Sequence, residues 1–162
     1  MTLQEHQDLD TNTLAFIGQY SAGKSTIISA LTELNNIKIG AGVTTDRTTY
    51  YDWNGIKLID TPGLWTSYKE HDEITETAIE KSDLLVFCIT TELFDELKIA
   101  KFKEYAYDKH YQWKIILVVN KISIGVGTYF EQKDNYSQSL NKALYPQNIN
   151  EFPVCFIDAK DY

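Results

Sequence analysis

Long apolar runs are missing from this chain. Nowhere do about 18 consecutive apolar residues occur, the length that a bilayer-spanning helix needs, and no basic and apolar leader opens the sequence. The expectation is a soluble, cytoplasmic product. Basic residues are scarce as well: 15 Lys and Arg stand against 23 Asp and Glu for a net charge of −8, and Arg47 is the lone arginine. Such a balance argues against a direct nucleic-acid footprint and against a polybasic membrane patch, so membrane contact is expected only through segments outside this chain. Cysteine is limited to Cys88 and Cys155. Both fall in apolar, strand-like runs and read as core thiols in a reducing compartment, and no cluster of His and Cys with metal-ligand spacing accompanies them. Internal repeats and low-complexity tracts are absent. What remains, at 162 residues, is the length of one domain.

What is present is organised around Leu14 to Thr26, LAFIGQYSAGKST. Gly18 and Gly23 bracket four residues before Lys24 and Ser25, the spacing GxxxxGK[ST] of a phosphate-binding loop. The glycines let the backbone turn tightly enough for successive N–H groups to point inward, and the helix opening at Lys24 adds the positive end of its dipole. Gly18, Ser21, Ala22, Gly23, Lys24, Ser25 and Thr26 are therefore the candidate polyphosphate-binding residues. Lys24 is expected on the outer phosphates, and the Ser25 hydroxyl on the Mg²⁺ that accompanies them.

The pattern on either side predicts alternating strands and helices. Met1 to Asn12 is a polar lead-in, Thr13 to Ile17 a strand, and Lys24 to about Leu34 a helix whose stripe is Ile27, Leu31 and Leu34. Ile37 to Arg47 reads as a functional loop. Thr48 to Trp53 and Ile56 to Asp60 flank Asn54 and Gly55, an antiparallel hairpin. A helix over Asp72 to Lys81, with Asp72 as its N-cap, is followed by the apolar runs Leu84 to Ile89 and Ile115 to Val119, which suit central parallel strands. The helix between them is expected to run about fifteen residues with Leu93, Leu97, Ala100 and Tyr107 on one face. Ile122 to Asn135 shows no order, a helix reaches Leu144, and Val154 to Ile157 is the last strand. The expected fold is α/β: a three-layer P-loop NTPase sandwich, its sheet mostly parallel with one antiparallel edge hairpin.

Asp60 ends its strand just before Thr61, Pro62 and Gly63, which places a carboxylate near the metal and the Gly63 N–H near the terminal phosphate. With DTPG on the page, the chain resembles a translation-factor-class GTPase over nearly its whole length, and its phosphate loop is most similar to that of dynamin-like proteins. The loop GVTTDR resembles the switch of bacterial ribosome-assembly GTPases that read GVTRDR. That resemblance puts the switch threonine, a Mg²⁺ ligand, at Thr44, with Thr45 the close second. It implies further that the base motif NKxD falls on Asn120 and Lys121, with Ser123 where the family has an aspartate that accepts two hydrogen bonds from the guanine edge. The motif usually reading SAK appears as Asp158, Ala159 and Lys160, and the Ala159 N–H is expected on the base oxygen.

The implied activity is Mg²⁺-dependent hydrolysis of GTP to GDP, as a switch or as the dynamin-like GTPase domain of a larger protein. Lys24, Thr44, Ser21 and Gly63 are the candidate catalytic residues; Ser25, Thr44 and Asp60 are the candidate metal ligands. Two departures leave alternatives open. Leu64 stands where small signalling GTPases have a water-orienting glutamine, and Tyr20 where dynamin-like relatives have theirs, so a binding switch with negligible turnover remains a second reading; Ser123 likewise leaves ATP open. Arg47 is either a finger on the transition state or a strut to a nearby carboxylate, and His71 reads as a surface residue. A homodimer across the nucleotide is the expected partner arrangement. Residues 13–162 are expected to form the G domain, ending before a final helix that would pack beside the first strand.

Overall fold

The structure, a computed structural model, describes residues 11–19, 21–34, 48–63, 69–91 and 96–159. Six strands form one sheet in the order β2-β3-β1-β4-β5-β6, where β1 is Thr13–Gly18, β2 Thr49–Trp53, β3 Ile56–Asp60, β4 Leu84–Thr90, β5 Ile115–Asn120 and β6 Val154–Phe156. Only the β2 and β3 pair is antiparallel. Its turn sits on Asn54 and Gly55, both at positive φ, as a two-residue hairpin requires. The four central strands are buried on both faces because helices cover both. Alternation decides which residue meets which helix. Ala15, Ile17, Leu85, Phe87, Leu117 and Val119 pack with α2 (Lys69–Lys81), α3 (Glu96–Lys103) and α4 (Tyr129–Leu144), while Phe16, Val86, Cys88 and Val118 meet α1 (Lys24–Thr32).

Strand order reverses direction between β1 and β4: β1 is followed by β3 on one side, then by β4 on the other. A crevice opens at such a switch point, outside the carboxyl ends of the strands. Gly18, Asp60, Asn120 and the residues after Phe156 all end parallel strands on that edge, so the topology gathers them.

Several expectations need correction. Helix α1 stops at Thr32, because Glu33 turns left-handed at φ 58. Helix α2 begins at Lys69, so Asp72 lies inside it and is not its N-cap. In α3 the expected face is met only in part: Tyr107 packs partly buried against the core, but Leu97 and Ala100 are exposed, and Leu93 lies outside the described residues. The buried set is Lys98, Phe102, Tyr105 and Ala106, one helical face offset from the expected one, and a π turn over Glu104–Asp108 ends the segment. Glu76 of α2 anchors that turn, accepting hydrogen bonds from Tyr105 and Lys109, each at 2.5 Å. Helix α4 begins earlier than expected, at Tyr129, under a capping box in which Thr128 and Glu131 bond each other's backbone N–H. Cys155 is exposed rather than buried, since β6 is an edge strand, while Cys88 is fully buried.

Candidate functional site

The loop after β1 turns through two left-handed residues, Ser21 at φ 66 and Gly23 at φ 86. Gly23 caps α1 without any side-chain hydrogen bond. The first N–H to join the helical ladder is that of Ile27, which donates to Gly23 O at 2.9 Å. The N–H groups of Lys24, Ser25 and Thr26 thus precede the ladder at the positive end of the helix, an arrangement that suits an anion. Glycine is required at both ends of the loop. A Cβ on Gly18 would lie 2.2 Å from Cys88 O, and one on Gly23 would lie 2.3 Å from Asn120 Nδ2.

Lys24 is only 7% exposed. Its ammonium folds over the loop, Nζ donating to Gln19 O at 3.3 Å and Gly18 O at 3.5 Å. Burial holds its pKa below the ordinary lysine value, and the charge of Asp60 opposes that shift. The neighbouring Cys88 thiol is pushed up to about 12 by its burial, so it stays neutral where the protein works.

From the end of β3, Asp60 approaches the start of α1, and Ser25 donates its hydroxyl proton to Asp60 Oδ2 at 2.5 Å. A hydroxyl and a carboxylate side by side match the hard oxygen donors that Mg²⁺ prefers when it is held chiefly by substrate phosphates and water. Among the described residues no group of three or more His, Cys, Asp or Glu forms a metal cage. The two oxygens fit a metal shared with a ligand and would not hold one alone. Thr61 and Gly63 follow, both buried, and the Thr61 hydroxyl is fixed on Phe16 O at 2.7 Å.

The loops after β5 and β6 close the other end. Asn120, 2% exposed, donates from Nδ2 to Ala22 O at 3.0 Å. Its Oδ1 accepts the N–H of Lys121 at 2.9 Å and of Ala159 at 3.0 Å. One amide thus ties three loops together. The Ala159 N–H, expected on a base oxygen, is used by Asn120 instead, so a base would have to displace or share that bond. Ser123 is directed to a neighbour: its N–H reaches Asp158 Oδ2 at 3.3 Å and its hydroxyl donates to the same oxygen. Ser123, Asp158 and Ala159 line a cavity of about 630 Å³ together with Ile27 and Leu31 of α1. That size lies within the usual range for a small-molecule site.

The structure therefore brings Gly18, Ser21, Ala22, Gly23, Lys24, Ser25, Thr26, Asp60 and Gly63 to one end of the crevice and Asn120, Lys121, Ser123 and Ala159 to the other. Tyr20, Thr44, Thr45, Arg47, Leu64 and Lys160 lie outside the described residues, as does the His71 side chain. Asp158 was named in the last motif of the sequence but given no role there, although its place beside Ala159 was a usable signal.

Residues 13–121 match the family described as 50S ribosome-binding GTPase. GTPase Der of Prosthecochloris aestuarii is 31% identical over 96% of this chain and 37% of its own length. The probable transmembrane GTPase FZO-like, chloroplastic, of Arabidopsis thaliana is 22% identical over 87% of this chain and 18% of its own length. This chain thus spans well under half of either relative. Among solved structures, Toc33 of Arabidopsis thaliana in complex with GDP and Mg²⁺ superposes with a TM-score of 0.68 at 15% identity, covering 96% of this chain and 74% of that one. Era in complex with MgGDPNP and 16S ribosomal RNA nucleotides gives a TM-score of 0.69 at 22% identity, covering 93% and 51%. With its phosphate loop, its DTPG turn and its matched residues in agreement, the chain belongs to the 50S ribosome-binding GTPase family.

Proposed function

We propose that this chain binds GTP with Mg²⁺ and hydrolyses it to GDP and phosphate, serving as a switch or as the dynamin-like GTPase domain of a longer protein. The observation that carries the reading is the Ser25 and Asp60 pair, 2.5 Å apart at the mouth of an uncapped, glycine-turned helix start. The backbone N–H groups of Lys24 and Ser25 bind the phosphate oxygens. Lys24 exchanges its carbonyl partners for the outer phosphates. Ser25 and Asp60, with Thr44 from the switch, would hold the Mg²⁺, and the ion would supply neutralisation of charge on the phosphate oxygens.

In the reaction a water oxygen bonds to the γ-phosphorus as the bond from that phosphorus to the bridging oxygen breaks; the electron pair leaves with GDP, one water proton stays on the released phosphate and the other passes to solvent. Lys24 and the Gly63 N–H stabilise the charge spread over the transferred group. Loss of the γ-phosphate then frees the loops around Thr44 and Gly63, which is the switch output. Leu64 follows Gly63, and an apolar side chain cannot orient the attacking water. Turnover by the isolated chain is therefore slow, on the order of 10⁻⁴ to 10⁻² per second. Pairing of two chains across their nucleotides raises it.

Single-turnover GTP hydrolysis by the purified chain, with and without Mg²⁺, tests the proposal. Phosphate release that needs Mg²⁺ and is lost in Lys24→Ala supports it. GTP binding without phosphate release at any protein concentration favours the second reading, a binding switch with negligible turnover, for which Leu64 is the motivating feature.

A further inference from the structure

We infer that Asp158 is the residue that reads the nucleobase, the carboxylate having moved from the loop after β5 to the loop after β6. The inference rests on the nucleotide-binding reading above. Guanine presents two donors on one edge, N1–H and the 2-amino group, and a carboxylate supplies two acceptor oxygens that match them. Adenine offers an acceptor at N1 and is rejected by the same group. A serine at position 123 cannot match that pair of donors, since its acceptor lone pairs sit on a single oxygen and not on two placed side by side. Within reach of it, however, stands a carboxylate.

Asp158 is held as a recognition group must be. Ile157 donates to Val119 O at 2.9 Å and accepts from the Ile122 N–H at 3.3 Å, and Ala159 donates to Asn120 Oδ1 at 3.0 Å. The backbone is thus pinned on both sides of Asp158. The side chain is pinned as well, because the Ser123 N–H and hydroxyl both converge on Oδ2. Oδ1 takes up no group among the described residues, and Asp158 lines the cavity. Asn120 fixes the distance from this carboxylate to the phosphate loop through Ala22 O.

Competition binding of GDP, xanthosine diphosphate and ADP to the full chain tests this. The parent is expected to prefer GDP over ADP by a factor on the order of 10⁴, the discrimination typical of a site built to hydrogen-bond one ligand and not its analogue. Asp158→Asn keeps the shape but replaces one acceptor with a donor, which clashes with the 2-amino group of guanine and matches the 2-oxo group of xanthine. That variant should lose at least tenfold in GDP affinity and gain preference for xanthosine diphosphate. A ratio between ligands is read on folded molecules only, so partial unfolding does not mimic it. Asp158→Ser should lose the GDP preference, and Ser123→Asp added to it should restore the preference by returning the carboxylate to the other loop. GDP binding by the parent with an unchanged base ratio in Asp158→Asn overturns the assignment alone. Failure of the parent to bind any of the three overturns the nucleotide-binding reading with it.

Discussion

Replacing Asn120 by alanine should cost about 3 kcal/mol of stability and loosen the nucleotide site at both ends. The side chain is buried and satisfies three backbone groups from three loops: Ala22 O, the Lys121 N–H and the Ala159 N–H. Leaving a buried polar group without a partner costs roughly 1–3 kcal/mol each. Water entering the space offsets part of that, most readily at the partly buried Lys121 N–H. At roughly 2–4 °C per kcal/mol for a chain of this size, the thermal midpoint should fall by about 6–12 °C. A companion variant sharpens the argument. Gly23→Ala suffers twice, from its left-handed φ of 86 and from a Cβ placed 2.3 Å from Asn120 Nδ2. The first cost is roughly 1–2 kcal/mol and persists in any background. The second vanishes once Asn120 is alanine. Combining the two changes should therefore cost less than the sum of the singles by about 1–2 kcal/mol, measured by denaturant melts without nucleotide. Simple additivity within about 0.5 kcal/mol would refute the contact between the loops that this reasoning requires.

Lys24→Ala should abolish GDP binding while leaving the circular dichroism spectrum unchanged, since among the described residues Nζ bonds two loop carbonyls and no side chain of the core; retained affinity would contradict the phosphate role. Burial pushes the Glu76 carboxyl up, but the hydrogen bonds and charge from Lys109 and Tyr105, with Lys101 adding charge, outweigh it and hold the pKa below 4.5. A lowered carboxyl pKa contributes stability that is present above about pH 4.5 and is lost as pH falls through the folded-state value. Glu76→Gln should accordingly be less stable than the parent at pH 7 and approach it in acid, a gap that urea melts between pH 7 and pH 3 would read; because Glu76 is about a third exposed, solvent screening keeps the gap small. Turnover per molecule should rise with protein concentration if two chains pair across their nucleotides, and Thr44→Ala should remove most of it; phosphate-release rates independent of concentration would leave the monomer as the acting unit.

The legible parts of this fold are those written in local chemistry. The glycine spacing from Gly18 to Gly23, the Asn54-Gly55 turn and the uninterrupted runs of β4 and β5 each carry their structure within a few residues, and each forms as the pattern requires. The face of α3 was misread because the apolar Leu97 and Ala100 drew the stripe, whereas the polar Lys98 is buried with Phe102, Tyr105 and Ala106 at helical spacing. Part of what selects that face is tertiary, the hydrogen bond of Tyr105 to Glu76 of another helix. The start of α4 was legible in principle, as Thr128 and Glu131 have the spacing of a capping box. Cys155 illustrates a different limit: an apolar run identifies a strand, but only the strand order shows that β6 is an edge.

The candidate site divides in the same way. A phosphate loop is one contiguous segment, so spacing suffices to find it. The base recognition inferred above is divided between segments that lie 35 residues apart, Ser123 and Asp158, and reading each motif by itself finds a missing aspartate in one and an unassigned one in the other. On that inference the two departures compensate, and the energetic consequence runs opposite to the one that either suggests alone. An aspartate introduced at Ser123 without removing Asp158 would set two carboxylates where a hydroxyl now donates to one. The two carboxylates would repel each other, and Asp158 would lose the hydroxyl that holds its Oδ2, so Ser123→Asp alone should weaken the preference for GDP over ADP. A strengthened preference in that single variant would show that the base reads position 123 directly and that Asp158 merely buttresses it.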